Sequence, residues 1–266
     1  MKIEERMSSL FDLTGKVAIV TGSTKGIGLA IARRMAEHGA TVAISSRKAD
    51  ACEAVANDIR AKGGKAFAVP CHVAHKDQLQ NLVDRTMAEC GGIDIVVGNA
   101  GINPYLGPAA GVSDEVFDRV IGTNVRSNFW LSNMSCPHMA ARGGGSFIVI
   151  SSIAGLIGSE AIGLYGISKA ADIALCRNIA VEWGAKNIRA NAIVPGLVRT
   201  DFARALWDDP LRYAKTTRDA PLGRIGEPDE IAGAAIFLAS PSGAFTTGQT
   251  IVIDGGRMAG TPARKD

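Results

Sequence analysis

Tyr165 and Lys169 stand four positions apart in "LYGISK", residues 164–169, in a stretch with little other charge. On a helix, positions i and i+4 share a face, one turn apart. A free phenol loses its proton near pH 10 and is a poor acid or base at neutral pH. An ammonium held about 4 Å away, at an effective dielectric near 20, favours the phenolate by about 4 kcal/mol. The spacing therefore predicts an acid–base pair, in which Tyr165 gives a proton to a carbonyl oxygen or takes one from an alcohol. A second candidate is "TGSTKGIG", residues 21–28, where Gly22, Gly26 and Gly28 join an apolar run to a helical one. Glycines there let a diphosphate approach the backbone, with a helix N-terminus facing its charge. The spacing is G-x3-G-x-G and not the common G-x-G-x-x-G, so a purely structural turn is the other reading.

These groups need a scaffold, and the hydrophobic pattern supplies one. Short, continuously apolar runs at 16–22, 41–46, 65–71, 93–101, 145–152, 188–196 and 250–256 read as strands. Helical spacing fills 29–40, 49–62, 75–90, 113–140, 163–184 and 228–239. Alternation of this kind means βαβ units and a doubly wound parallel sheet, buried on both faces by helices. Right-handed crossovers bring the C-terminal ends of the strands to one edge, where such sheets bind ligands. The runs end in "TGSTKGIG", "SSRK", "NAG", "SS" and "PG", so the polar and glycine residues collect at that edge. The expected organisation is a single Rossmann-type α/β domain over 13–256, with an extension at 1–12 and a tail at 257–266.

Composition narrows the function. The 266 residues are 47% hydrophobic and 21% charged with a formal charge of +3, and no basic stripe suggests nucleic acid. Cys52, Cys71, Cys90, Cys136 and Cys176 are odd in number and form no CxxC pair, which argues for free thiols. No signal peptide is visible in "MKIEERMSSLFDL", and the most apolar region, 147–164, is broken by Ser, Gly and Glu160. A cytoplasmic protein with no membrane span and no metal is expected.

Taken in order, the motifs resemble those of the short-chain dehydrogenase/reductases. Thr21–Gly28 matches TGxxxGxG, and Asn99-Ala100-Gly101 matches NAG. Asn124 matches the asparagine of the fourth helix, and Ser152 stands 13 positions before Tyr165. Tyr165 and Lys169 match YxxxK, and Pro195-Gly196 with Thr200 matches the segment after the sixth strand. The resemblance covers about 13–256. It implies a nicotinamide dinucleotide held by Gly22, Ser23, Thr24, Lys25, Gly26, Ile27, Gly28, Asn99, Ala100, Gly101, Tyr165, Lys169, Pro195, Gly196, Val198 and Thr200. It also implies that Ser152 holds the substrate oxygen, and that Asn124 links Lys169 to solvent through a water.

The cofactor expectation rests on the end of the second strand. NAD enzymes place a carboxylate there. This chain has Ser46, Arg47 and Lys48, which suit a 2′-phosphate, so NADP(H) is expected. Two positions depart from the family pattern. His72 replaces an aspartate that contacts adenine, leaving a backbone contact from Val73, and Gly98 replaces an asparagine before NAG.

Residues 197–226 are long for a connection, and Leu197, Phe202, Leu206, Trp207, Leu211 and Tyr213 recur through them. The spacing of 202, 206 and 207 predicts a short amphipathic helix, and the resemblance implies a lid over the substrate. Facing it would be Ile153 and Ala154 after Ser152, and Asn103, Pro104 and Tyr105 after NAG. A hydrophobic ketone or the matching alcohol is expected. Two alternatives stay open for the segment: its apolar residues serve a subunit interface, or Arg199 or Arg204 turns inward to an anion. Other readings of the whole chain are a non-catalytic dinucleotide-binding sensor and an NAD-dependent alcohol dehydrogenase of the same family. Related epimerases and dehydratases are longer. A homotetramer is implied by resemblance, paired through the helices at 113–140 and 163–184 and through the last helix and strand.

Overall fold

The computed structural model describes residues 10–260. The ends of the expected extension and tail, 1–9 and 261–266, lie outside the described residues. Seven parallel strands form one sheet in the order β3-β2-β1-β4-β5-β6-β7. They are β1 (Val17–Thr21), β2 (Thr41–Ser45), β3 (Lys65–Ala68), β4 (Ile95–Gly98), β5 (Gly145–Ile150), β6 (Ile188–Pro195) and β7 (Thr250–Ile253). The helices between them are α1 (Gly26–Glu37), α2 (Ala49–Ala61), α3 (Lys76–Cys90), α4 (Asp114–Ile121), α5 (Ser127–Ala141) and α6 (Gly163–Trp183). After β6 come α7 (Arg204–Trp207), α8 (Pro210–Asp219) and α9 (Pro228–Ala239).

The continuous apolar runs have their expected cause, since alternate residues of each strand serve two different cores. Ala18 and Val20 of β1, and Ile148 and Ile150 of β5, pack with Ile31 and Met35 of α1 and Ile231 and Ile236 of α9. Ile19, Phe147 and Val149 point the other way, among Leu79 and Leu82 of α3, Leu131 and Met139 of α5, and Ile173 of α6. A strand covered on both sides has no polar face to show.

Strand order reverses between β1 and β4. The chain runs outward from β1 to β3, then returns past β1 to build β4 through β7. The crevice at such a switch point opens beyond the C-terminal ends of β1 and β4. Residues 22–28 and 99–102 lie there.

Most boundaries lie within a few residues of the sequence expectation, and three departures bear on the site. The strand expected over 65–71 ends at Ala68, although the amides of Val69 and Cys71 still donate to Ile44 O and Ser46 O, both at 2.9 Å. The helix expected over 113–140 contains a π turn, Gly122–Arg126, which carries Asn124; single wide turns of this kind recur at functional sites. The segment 197–226, expected to hold one short helix, holds two. Asp209 accepts from the amides of Leu211 at 2.8 Å and Arg212 at 3.1 Å, and Pro210 occupies the first turn of α8. That Asp-Pro start signal is legible in the sequence.

Candidate active site

The two glycine-containing motifs form one object. The Thr21 hydroxyl donates to Val97 O at 3.2 Å and accepts from the amides of Asn99 at 3.0 Å and Ala100 at 3.1 Å. Asn99 Nδ2 donates to Thr21 O at 2.9 Å and to Gly22 O at 3.2 Å. The threonine and the asparagine thus rivet the ends of β1 and β4 together. A Cβ on Gly28 would fall 2.4 Å from both Asn99 Nδ2 and Gly22 O, so only glycine fits. Ser23 is fully buried and its hydroxyl accepts from Ser45 N at 2.8 Å, bracing the loop from inside. Thr24 and Ile27 are half-buried. Lys25, the cap residue of α1, makes no side-chain cap bond, so the first-turn amides of that helix remain open to an anion. Its ammonium pairs instead with Asp201 at 3.4 Å, and Thr200 packs on Gly26. The residues after β6 therefore reach across to the glycine loop. Val198 is buried in the first core, bridged to Gly226, and Gly196 lies against Asp254, beside Pro195 at the end of β6.

At the end of β2, the Ser46 amide donates to Cys52 Sγ at 3.1 Å. Arg47 and Lys48 are exposed, and neither forms an ion pair among the described residues. Across from them, the His72 ring stands edge-on to His75 at 4.8 Å. Burial, His75 and Arg47 together hold the His72 imidazole below the usual histidine value. Val73 is buried in the second core.

The expected acid–base pair lies on α6, beside the end of β5. The Ser152 hydroxyl accepts from the Ala154 amide at 3.2 Å, which leaves its proton free to donate outward. Ser151 Oγ donates to Lys169 O at 2.7 Å, and Lys169 Nζ donates to Ile150 O at 2.8 Å. These two bonds lock α6 to the end of β5 and set Ser152 and Tyr165 in one region. Lys169 is 3% exposed. Its Nζ lies 5.8 Å from the centre of the Tyr165 ring and 3.6 Å from where a Cβ on Gly101 would be. The NAG segment and the pair are thus brought together.

Asn124 is fully buried. Its side chain accepts from Ile102 N at 2.8 Å and donates to Ile102 O at 2.9 Å and Ser168 Oγ at 3.0 Å. It clamps the NAG loop to α6. Two residues that sequence reasoning missed complete the cluster. Asp172 Oδ2 accepts from Lys169 Nζ at 3.0 Å, and Asp172 Oδ1 accepts from Asn128 Nδ2 at 2.8 Å. Asn128 Nδ2 also donates to Asn124 O at 3.0 Å. Burial works against the Lys169 charge, but the Asp172 carboxylate and the Tyr165 phenol outweigh it, and the ammonium is held above the usual lysine value. A signal existed, because 165, 169 and 172 follow i, i+4, i+7 on one helix face, as 124 and 128 follow i, i+4.

The expected pocket residues are brought together in part. Phe202 is 57% exposed, with its ring 6.1 Å from that of Tyr165. Leu197 and Leu206 are half-buried and Ile153 packs against the second core, while Ala154 is buried. Trp207 is tied down: Nε1 donates to Thr200 O at 3.0 Å, and Arg199 and Arg204 stack on its ring at 5.3 and 5.9 Å. Both arginines are also committed to carboxylates, Arg199 to Glu227 at 3.0 Å and Arg204 to Asp201 at 2.8 Å. Tyr105 donates to Pro108 O at 3.0 Å, and its loop, which includes Asn103 and Pro104, meets Ile162 through Gly107. Among the described residues, no three His, Cys, Asp or Glu side chains group as a metal site, and no helix is long and apolar enough to cross a membrane.

A family model described as enoyl-(acyl carrier protein) reductase matches residues 22–257. Dehydrogenase/reductase SDR family member 4 of Bos taurus is 39% identical over 247 residues, covering 93% of this chain and 88% of that protein. The crystal structure of a gluconate 5-dehydrogenase from Burkholderia cenocepacia J2315, in complex with NADP and tartrate, superposes with a TM-score of 0.92 at 34% identity, covering 96% of this chain and 100% of that one. A 7α-hydroxysteroid dehydrogenase complexed with NADH and 7-oxo glycochenodeoxycholic acid gives 0.90 at 38% identity, covering 94% and 96%.

Proposed function

The chain belongs to the short-chain dehydrogenase/reductase family, and we propose that within it the protein is an NADP(H)-dependent oxidoreductase that interconverts a hydrophobic ketone or aldehyde with its alcohol. The observation that carries this reading is the buried Lys169 ammonium beside Tyr165, at the sheet edge that also holds the glycine loop. A dinucleotide-binding sensor has no need of such a pair.

The glycine loop fits a dinucleotide, because its open helix amides and absent side chains leave room for a diphosphate. Bound there, NADP(H) would supply the hydride for reduction or accept it for oxidation. The chain's own groups manage the proton. Ser152 donates its free hydroxyl hydrogen to the substrate oxygen and holds it toward Tyr165. Tyr165 releases its proton to that oxygen as the carbonyl is reduced, and Lys169 stabilises the phenolate left behind. Oxidation runs the same path backwards.

Arg47 supports the choice of NADP(H). It is an exposed guanidinium without an ion-pair partner among the described residues, at the strand end where NAD enzymes carry a carboxylate. Solved relatives hold NADP or NADH, so this reading rests on the residues at this position. The pocket side supports an apolar substrate: Phe202 presents its ring beside Tyr165, and the two nearby arginines are neutralised by Asp201 and Glu227. The segment 197–226 acts as a lid in this reading. Its tie to the glycine loop is the exposed Lys25–Asp201 pair, a weak bond that opens readily. The apolar side chains exposed on α5 and α6 (Phe129, Ile167 and Val181), with Phe245 and Val252 near β7, suit a homotetramer. The five free cysteines suit a reducing cytoplasm.

Steady-state kinetics on ketones of graded size test the reaction. Bulky aryl ketones should be reduced, and Phe202→Ala should raise their KM more than that of small ketones. Charged keto acids as the best substrates would contradict the pocket. Tyr165→Phe should slow turnover by about a thousandfold while dinucleotide affinity, read by fluorescence titration, stays within about threefold. A Phe variant keeping more than about a tenth of the rate would remove Tyr165 as the acid.

With each cofactor in turn, kcat/KM should favour NADPH over NADH by about a hundredfold, and Arg47→Ala should remove most of that preference through the loss of a charge-assisted contact. Equal values in the unmodified protein would sink the assignment. Light scattering should give about four times the 27.7 kDa chain mass, and a particle of one chain would exclude the tetramer.

A further inference from the structure

Asp172 and Asn128 belong to no motif that identifies the site, yet they make buried polar contacts within it. Asp172 is 0% exposed and lies three residues beyond Lys169 on α6. One carboxylate oxygen takes the lysine ammonium at 3.0 Å, and the other takes the Asn128 amide at 2.8 Å. Asn128 also donates to the carbonyl of Asn124 in the π turn. A continuous hydrogen-bonded path thus runs from the backbone of Asn124 to the ammonium of Lys169, made entirely of side chains. Gly98 is part of the same arrangement. A Cβ there would fall 2.4 Å from Asn128 Oδ1, so a side chain at 98 and Asn128 in this position exclude each other.

We propose that Asp172, held by Asn128, is a positioning residue that keeps Lys169 charged and fixes its ammonium toward Tyr165. Given the reaction proposed above, solvation requires such a residue. An ammonium so deeply buried loses most of its hydration, and a lone charge there reverts to the neutral amine. The carbonyl of Ile150 is a dipole and not a counter-charge. The ionisable groups around the ammonium are Tyr165 and Asp172, both on α6; β5 offers only the Ile150 carbonyl, and the π turn and α5 offer the uncharged Asn124 and Asn128. Cys176 is the other titratable neighbour of Asp172, and burial pushes its thiol far up. Asp172 is therefore the group that pays for the charge on which Tyr165 depends. With Asp172 removed, Lys169 becomes the neutral amine as pH rises, and the phenolate loses its stabilisation.

The test compares Asp172→Asn and Asp172→Glu with the unmodified protein, following alcohol oxidation from pH 6 to pH 10 and the melting temperature of each. The Asn variant should keep pace near pH 6 and fall at least about tenfold behind near pH 9, the size of one pH unit in the lysine equilibrium. The Glu variant, which keeps the charge, should hold its alkaline activity. Should the Asn variant not fold, Asp172→Leu, with no unpaired amide, takes its place. A second readout needs no turnover: in protein labelled with 13C at lysine Cε, the Lys169 resonance, assigned with Lys169→Ala, should titrate at lower pH in the Asn variant. This separates the two claims, because loss of all carbonyl chemistry would strike the assigned reaction and leave the NMR result standing. If the Asn and Glu variants give pH profiles and a Lys169 titration matching the unmodified protein, with changes only in melting temperature, Asp172 is a structural residue and the proposal fails.

Discussion

A fully desolvated ammonium sets the terms for this structure. Lys169 is 3% exposed, and every donor it carries must find a partner inside the protein. It takes the carbonyl of Ile150 and the carboxylate of Asp172. The Ile150 bond and the Ser151 Oγ bond to Lys169 O fix where β5 ends relative to α6. They also fix Tyr165, because it sits one turn before Lys169 on the same helix face. A buried pair of this kind is weak support for stability, since desolvation offsets most of its attraction. Its value lies in location: a charge kept where a phenol needs it.

The rest of the edge is organised by a few polar residues that tie strand ends and loops to one another. Thr21 and Asn99 join β1 to β4 at the switch point, Ser23 joins the glycine loop to β2, and Asn124 joins the NAG loop to α6. The Thr21–Asn99 bonds join residues 78 positions apart in sequence. On the outer side, the glycine loop meets residues 200–204 through the exposed Lys25–Asp201 ion pair and the packing of Thr200 on Gly26. Such pairs are worth little each in water. The inner lattice is thus buried, while the outer ion pair lies in solvent.

Much of this was legible in the sequence, and the reasons are physical. Strands buried on both faces must be continuously apolar, so all seven could be read, and glycines that must admit a cofactor cannot be replaced. The i,i+4 spacing of Tyr165 and Lys169 is geometry that any helix would realise. Asp172 escaped notice because a single acidic residue on a helix is ordinarily a solvated one, and its burial depends on Asn128 and Gly98, which approach from other elements. Helix α8 escaped because its middle is polar, although Asp209-Pro210 announces its start. For Trp207 the spacing implies a short helix and the family resemblance a lid, and neither shows that Thr200, Arg199 and Arg204 hold its ring.

The central claim is that the charge of Lys169 makes Tyr165 an effective acid and base. Lys169→Met keeps the length of the side chain and removes the charge. The measurement is the single-turnover rate of nicotinamide oxidation by this variant, with cofactor and ketone saturating so that weakened binding does not enter, and with circular dichroism verifying the fold. The account predicts a rate lower by about a hundredfold or more, as loss of an interaction of about 4 kcal/mol requires. A rate within about threefold of the unmodified protein would contradict it.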